Sequence, residues 1–396
     1  MSEKTNRILF ISPQPYFQWR GSPIRVAFDA QALSEAGWTV DLVVMPVGED
    51  HPIPGVTVHR PPNLFGIKKL AIGPSAVKAF LDIFLFCTAL KLAFKNRYDI
   101  IHGVEEAGAM AVVLGKMRKA KVIFEKHSDP ASYKKGFVRN AVMWLYSQVE
   151  KFSIRHADAV IGTGPALVEQ AKTINPRITA HHIFDIPSSL VEAVPEKIAA
   201  ARAKLERKAG DRIITYVGSF AVYQGIGLMF ESIPPVVQAR PEARFVIIGG
   251  TEQEIAERRA WLAERKSEHA VLFPGKIPPD ELPNFLSASD ILMSPRTSGT
   301  NTPLKLLDYL KAGRAIVACD IPANRLIVDE ETALLVPPDP DSFSKGITRL
   351  LDNDPLRARL AGSGRRLVDE TYNFRVFGER LKNCYDELLK IGRAHV

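Results

Sequence analysis

Residues 290–319 read DILMSPRTSGTNTPLKLLDYLKAGRAIVAC. The apolar run at 290–294 stops at Pro295 and a loop of Gly, Thr, Asn and Pro that cannot continue a strand. Leu304, Leu307, Leu310 and Lys311 then recur at helical spacing, and Ala315 to Cys319 is apolar again. Strand, loop, helix and second strand make one crossover unit of a parallel sheet. The amides at the start of that helix, with its dipole, suit an anion such as a diphosphate. Arg296 can add a charge-assisted hydrogen bond, and Asp308 lies where it can reach ribose hydroxyls. Taken alone, the same residues equally describe a capped helix with proline in its first turn.

Working outward, the unit recurs. Short apolar runs at Arg7–Ser12, Thr39–Met45, Val56–Arg60, Asp99–His102, Lys121–Lys126, Asp158–Ile161 and His182–Phe184 alternate with amphipathic stretches. One of these, Ile24–Ala36, closes at Gly37, a helix-ending glycine. A second series follows at Arg212–Gly218, Arg244–Gly249, Val271–Pro274, Asp290–Ser294, Ala315–Cys319 and Ala333–Val336. Between them, IPSSLVEAVP at 186–195 breaks the periodicity and reads as a linker before a charged helix at Glu196–Lys208. The expected fold class is α/β, two Rossmann-like doubly wound domains facing across a cleft: 1–190, 191–373, and a helix from 374 to 396 packing back on the first. Such sheets bind ligands at the carboxyl ends of their strands.

The chain has 396 residues, 46% apolar and 24% charged, enough for two globular cores. Cys87, Cys319 and Cys384 are scattered and read as free thiols of a reducing compartment, and MSEKTNRILFIS lacks the pattern of a signal peptide, so a cytoplasmic protein is expected. The net charge is +8. Residues 1–190 hold 23 Lys and Arg against 16 Asp and Glu, so nearly all the excess lies there. No zinc-ligand or single-strand-binding pattern accompanies it, which sets nucleic acid aside as a partner. No metal cluster is expected: His181 and His182 are adjacent and on a strand face opposite sides.

A second glycine loop, GSFAVYQGIG at 218–227, follows the run IITYV, and QWRGSP at 18–23 holds the equivalent place in the first half. Either is an ordinary turn or a backbone cradle for phosphate. Together with YDIIH, FEKHSDP, HADAVIGTGPALVEQ and TPLKLLDYLKAGRAIVACDIPANRLIVDEETALLVPP, in that order, they resemble the retaining glycosyltransferases of family 4, of GT-B fold. The resemblance covers nearly the whole chain. It implies a hexosyltransferase, with a role in cell-envelope polysaccharide synthesis, that needs no cofactor or metal and moves a sugar from a nucleotide diphosphate sugar, UDP-sugar or GDP-sugar, to a glycan or lipid-linked acceptor. By the same resemblance the donor meets Gly21, Ser22, Gly218, Ser219, Gln224, Gly225, Arg296, Gly299, Thr300, Asn301, Thr302, Lys305 and Asp308. His127 aligns with a histidine beside the transferred sugar, where a neutral imidazole hydrogen-bonds a hydroxyl. Glu105 and Glu106, in HGVEEAG, read either as a solvated helix start or as carboxylates approaching the acceptor, Glu106 as a candidate catalytic carboxylate. The family's paired glutamates, eight positions apart, fall here on Thr300 and Asp308, and its basic residue before the second-loop glycine is Gln224. Arg296 or Lys305 is positioned in sequence to compensate.

Residues 65–97 combine six basic side chains with one acid and a long apolar run. The segment is too short and too charged to span a bilayer. It reads either as a buried crossover helix or as a peripheral membrane contact, with Phe80, Phe84, Leu85 and Phe86 entering the interface and Lys68, Lys69 and Lys78 meeting headgroups at the inner face of the plasma membrane. A UDP-sugar epimerase of the same architecture, or a sugar-nucleotide-binding protein without activity, are the alternatives. A nicotinamide dehydrogenase would need the full Gly-x-Gly-x-x-Gly fingerprint, which no strand here precedes.

Overall fold

Seven runs rich in Val, Ile and Phe pair into an all-parallel sheet: β1 (Arg7–Ile11), β2 (Thr39–Val43), β3 (Val56–His59), β4 (Ile100–Val104), β5 (Lys121–Lys126), β6 (Ala159–Gly162) and β7 (Thr179–His182). The structure, a computed structural model, describes residues 6–18, 21–64, 66–68, 70, 75–128, 137–206, 208–299 and 302–393. Across the sheet the order is β3-β2-β1-β4-β5-β6-β7. The crossovers are α1 (Gly21–Glu35), α2 (Ala76–Lys95), α3 (Ala107–Arg118), α4 (Phe137–His156) and α5 (Pro165–Ile174). After α6 (Pro195–Leu205) a second parallel sheet forms from β8 (Arg212–Val217), β9 (Ala243–Ile248), β10 (Val271–Leu272), β11 (Ile291–Ser294), β12 (Ala315–Cys319) and β13 (Leu334–Val336), ordered β10-β9-β8-β11-β12-β13. Its helices are α7 (Ile226–Ala239), α8 (Glu252–Glu264), α9 (Leu282–Ser287), α10 (Leu304–Lys311), α11 (Pro340–Leu351) and α12 (Asp354–Glu370). The last helix, α13 (Phe374–Arg393), packs on α1 and belongs with the residues up to 185; residues 186–373 form the other unit.

Central strands are buried on both faces, as parallel sheets under crossover helices must be: every residue of β4, β11 and β12 is buried, while the edge strands β3 and β7 are largely half-exposed. Leu9, Val43, Leu85 and Ile101 meet in the core of the first unit, and Tyr216, Phe230, Phe245 and Val317 in that of the second. In each sheet the strand order reverses beside the first strand, at β1/β4 and β8/β11, and at such switch points the loops after the strands diverge and leave room for a ligand.

Two elements differ from the expectation. The seventh strand is Thr179–His182, paired residue by residue with 159–162, instead of 182–184. Ile183 still donates to Gly162 O, but Ile183 and Phe184 are apolar because they are buried beyond the strand, not because they belong to it. The first helix begins at Gly21 rather than Ile24, since Pro23 in a first turn gives up only an amide that has no helical partner.

Candidate functional site

In the second unit β8 and β11 lie side by side, so their loops leave the sheet together. After Val217 the chain turns through Gly218 (φ 151°), a 3-10 turn at Val222–Gln224 and Gly225 (φ 71°) into α7. After Ser294 it runs through Pro295, Arg296 and Gly299 toward α10. The two loops touch: Thr297 N donates to Tyr223 O at 3.2 Å, and a Cβ on Gly225 would stand 1.8 Å from Pro295 O. Gly218 is held close to Gly249, whose Cβ would lie 2.0 Å from Gly218 O, and the Tyr216 hydroxyl donates to Ser219 O.

Lys305, in the first turn of α10, donates to Gln224 Oε1 at 2.9 Å and stands 4.3 Å from the Tyr216 ring centre. Burial, and then the charge of Arg296, lower its pKa to about 7. Buried Arg296 donates Nε to Ser298 O at 2.8 Å and lies 5.7 Å from the Tyr223 ring centre. A Cβ on Gly299 (φ 107°) would fall 2.2 Å from Arg296 Nη2. Pro303, at the cap position of α10, makes no side-chain capping bond, and half-buried Thr302 precedes it. Among the described residues, the helix therefore presents first-turn amides that its own cap residue does not accept. Cations, glycine backbone and helix start are the parts an anion site needs. Thr300 and Asn301 lie outside the described residues.

Asp308 is one turn further along. Its carboxylate accepts from Ser188 N at 2.6 Å and from the Ser188 hydroxyl at 2.8 Å. Burial nevertheless pushes its pKa up to about 6. It lines a small open pocket with Ser189, Leu282, Leu286, Lys311 and Arg365. Read from sequence as a ribose ligand, this carboxylate is also the anchor of the 186–195 segment. Nothing in SSLVE announced that partner except two serines able to donate.

In the first unit Gly21 and Ser22 open α1 after β1, both half-buried. His127 follows β5. Its backbone N–H donates to Glu105 Oε1 at 2.9 Å, and the Ser128 hydroxyl donates to the same oxygen at 3.1 Å. Glu105 itself sits at φ 51°, the bend after β4 that turns its carboxylate to the β5 end. Glu106 goes elsewhere, pairing with Lys78 beside Asp82, whose pKa burial and then Glu106 raise to about 7. His127 Nε2 stands 3.1 Å from Glu125 Oε1. Burial opposes a charge on the ring, but Glu125 and then Glu105 outweigh it and raise the His127 pKa. The ring thus holds its proton to higher pH than an ordinary histidine. Glu125, inside FEKHSDP and fully buried on β5 two residues before His127, is the residue the sequence reading passed over.

Among the described residues no group of three His, Cys, Asp or Glu is placed to hold a metal ion, and no helix is long and apolar enough to cross a membrane.

Two family models match this chain, "Glycosyl transferase 4-like domain" over residues 20–184 and "Glycosyl transferases group 1" over 211–353. A Corynebacterium glutamicum protein, named GDP-mannose-dependent monoacylated alpha-(1-6)-phosphatidylinositol monomannoside mannosyltransferase, is 31% identical over 198 residues, 48% of this chain and 51% of that protein. The chain spans about half the length of the curated relatives it matches. Sucrose-phosphate synthase from Thermosynechococcus elongatus superposes with a TM-score of 0.76 at 22% identity, covering 98% of this chain and 100% of the other. Anabaena HepE in complex with UDP-glucose superposes with a TM-score of 0.71 at 14% identity, covering 96% and 99%. These likenesses carry the GT-B fold.

Proposed function

As this chain belongs to glycosyltransferase family 4, we propose that it transfers a hexose from a nucleotide diphosphate sugar to a glycan or lipid-linked acceptor, with retention and without a metal. One observation carries the reading: Lys305, Arg296, three positive-φ glycines and the uncapped start of α10 converge at the β8/β11 switch point of the second unit. The charge the family places at position 224 is supplied here by Lys305, whose ammonium reaches the Gln224 side chain. In this reading the leaving diphosphate is neutralised by amides and cations and takes the acceptor proton itself. His127 donates to a hydroxyl of the sugar. Glu105, held against the His127 backbone, is better placed than Glu106 to orient the acceptor, since Glu106 is committed to Lys78. Thr300, Asn301 and the ribose contact of Asp308 stay part of this proposal.

A thermal-shift panel of UDP, GDP, their glucose and mannose conjugates, and adenosine diphosphate as control tests it. A ligand at a hundred times its Kd stabilises the folded state by about 2.7 kcal/mol. One base is expected to raise Tm by several degrees, and the same sugar nucleotide to release nucleoside diphosphate slowly. Equal Tm with every nucleotide at millimolar concentration sinks the reading.

A membrane contact for the first unit has its own support. The bilayer face read from sequence is corrected: Leu85 is fully buried, Phe86 packs on the core, and Lys78 is buried against Glu106; Lys69 lies outside the described residues. Phe80 is exposed as read from sequence, and Val77, Ile83 and Phe94 complete the exposed row of α2. Arg118 of α3 lies over Phe94, and Lys116 of α3 lies over Phe152 of α4, which also exposes Trp144 and Leu145. Basic groups laid across exposed aromatics on three adjoining helices fit an anionic bilayer surface. The double variant Phe80→Ser/Trp144→Ser is expected to lose roughly tenfold in partition onto anionic vesicles, measured by co-sedimentation. Unchanged partition, or none by the unaltered protein, removes this contact.

A further inference from the structure

The first unit buries more ionisable groups than its proposed chemistry uses. Glu125 Oε1 accepts from Arg25 Nε at 2.6 Å and lies 3.1 Å from His127 Nε2, while Oε2 lies 3.0 Å from His102 Nε2. His102 Nδ1 is 2.5 Å from the Tyr385 hydroxyl on α13, and the His102 ring stacks on Phe10. Arg25 also donates Nη1 to Phe184 O and pairs with Asp185, and Asp29 stands 3.8 Å from its Nε. Resting on the reading that His127 acts on the sugar, we propose that Glu125 is the positioning residue for His127, holding the Nε2 edge of the ring and leaving Nδ1 as the edge that meets substrate.

The argument is geometric. One oxygen of Glu125 accepts the Arg25 hydrogen bond and stands 3.1 Å from His127 Nε2 as an ion pair, so the carboxylate cannot leave the imidazole without also breaking the Arg25 bond. The other oxygen lies 3.0 Å from His102 Nε2, and His102 is itself held by Tyr385 at Nδ1. A different carboxylate, Glu105, holds the His127 main chain. Ring and backbone are thus set independently, which is what a side chain needs to keep one rotamer against a ligand. Taking this many charges out of water carries a desolvation penalty that apolar packing would avoid, and perturbed buried clusters concentrate at functional sites. The Glu125 carboxyl stays ionised: burial works against it, but Arg25, then His127 and His102, hold its pKa well below the usual range. Asp29 is the reverse, raised by burial and then by Glu125, and neither of its oxygens has a hydrogen-bond partner among the described residues.

The test uses the full chain with 15N-labelled histidine, the His127 signals being assigned by their loss in His127→Gln. In the unaltered protein the neutral ring is expected to carry its proton on Nε2 and to titrate above the ordinary histidine value. In Glu125→Gln the His127 pKa is expected to fall by at least about one unit. With whichever of GDP-mannose or UDP-glucose the protein hydrolyses, Glu125→Gln is expected to lower kcat roughly 10- to 100-fold while the Kd for the nucleoside diphosphate stays the same. The pH profile of kcat moves with the ring. An unchanged His127 pKa and tautomer in Glu125→Gln overturns the proposal, as does unchanged kcat. Should Glu125→Gln not fold, Glu125→Asp keeps the charge but withdraws it, and the same two readouts apply. Full activity in His127→Gln removes the role of His127 on the sugar, whereas the ring titration still reports whether Glu125 holds it, so the two failures are separable.

Discussion

Replacing Lys305 with Met is expected to weaken binding of the preferred nucleoside diphosphate by roughly 10- to 150-fold at pH 6.5, the worth of a hydrogen bond to a charged group. The reason is in the free site. Among the described residues the Lys305 ammonium donates to the amide oxygen of Gln224, and its neighbour Arg296 is a second cation. Burial and that repulsion leave its pKa at about 7. A bound diphosphate brings negative charge that outweighs the burial and the repulsion from Arg296, so the ammonium is charged in the complex. Below pH 7 the free protein already carries that proton. Above pH 7 binding must take one up, and Kd should rise toward about tenfold per pH unit. Calorimetric titrations in phosphate and Tris at pH 8 should therefore give different apparent enthalpies, with close to one proton absorbed, and Lys305→Met should abolish that difference. A Kd indifferent to pH from 6 to 9, or unaltered by the substitution, would place the anion elsewhere.

The parts of this site that were legible in sequence are the ones written locally. Gly218, Gly225, Gly299 and Pro303 punctuate apolar runs, and a loop between a strand and a helix can be named without knowing what packs on it. The two sheets follow from the same alternation. What stayed hidden depends on contacts between distant positions. Ser188 meets Asp308 across 120 residues, Arg25 meets Glu125 across 100, and His102 meets Tyr385 across 283. No spacing rule reaches so far, and a glutamate on a central strand looks like any other until its partners are in place. The face of α2 was undecidable for a different reason. Apolar residues surround that helix, so periodicity cannot tell the core side with Leu85 and Ala89 from the open side with Phe80 and Ile83.

Gly225→Ala is expected to cost the second unit about 3 kcal/mol and to abolish tight nucleotide binding with it. Two terms add. At φ 71° an alanine sits in the left-handed region, at roughly 1 to 2 kcal/mol. Its methyl would also stand 1.8 Å from Pro295 O, and because that neighbour is backbone the loop after β11 must move, an overpacking cost of about 1 to 3 kcal/mol. The displaced loop carries Arg296 and leads to α10, while the displaced glycine starts α7, so both proposed phosphate loops shift at once. A Tm lower by roughly 6 to 12 °C follows for a unit of this size. Gly362→Ala on α12 is the matched control. Its added methyl meets nothing within 4 Å, and alanine in a helix is favoured over glycine by about 1 kcal/mol, so that variant should be slightly more stable and bind as before. If Gly225→Ala melts and binds like Gly362→Ala, the close approach of the two loops is not what shapes the anion site.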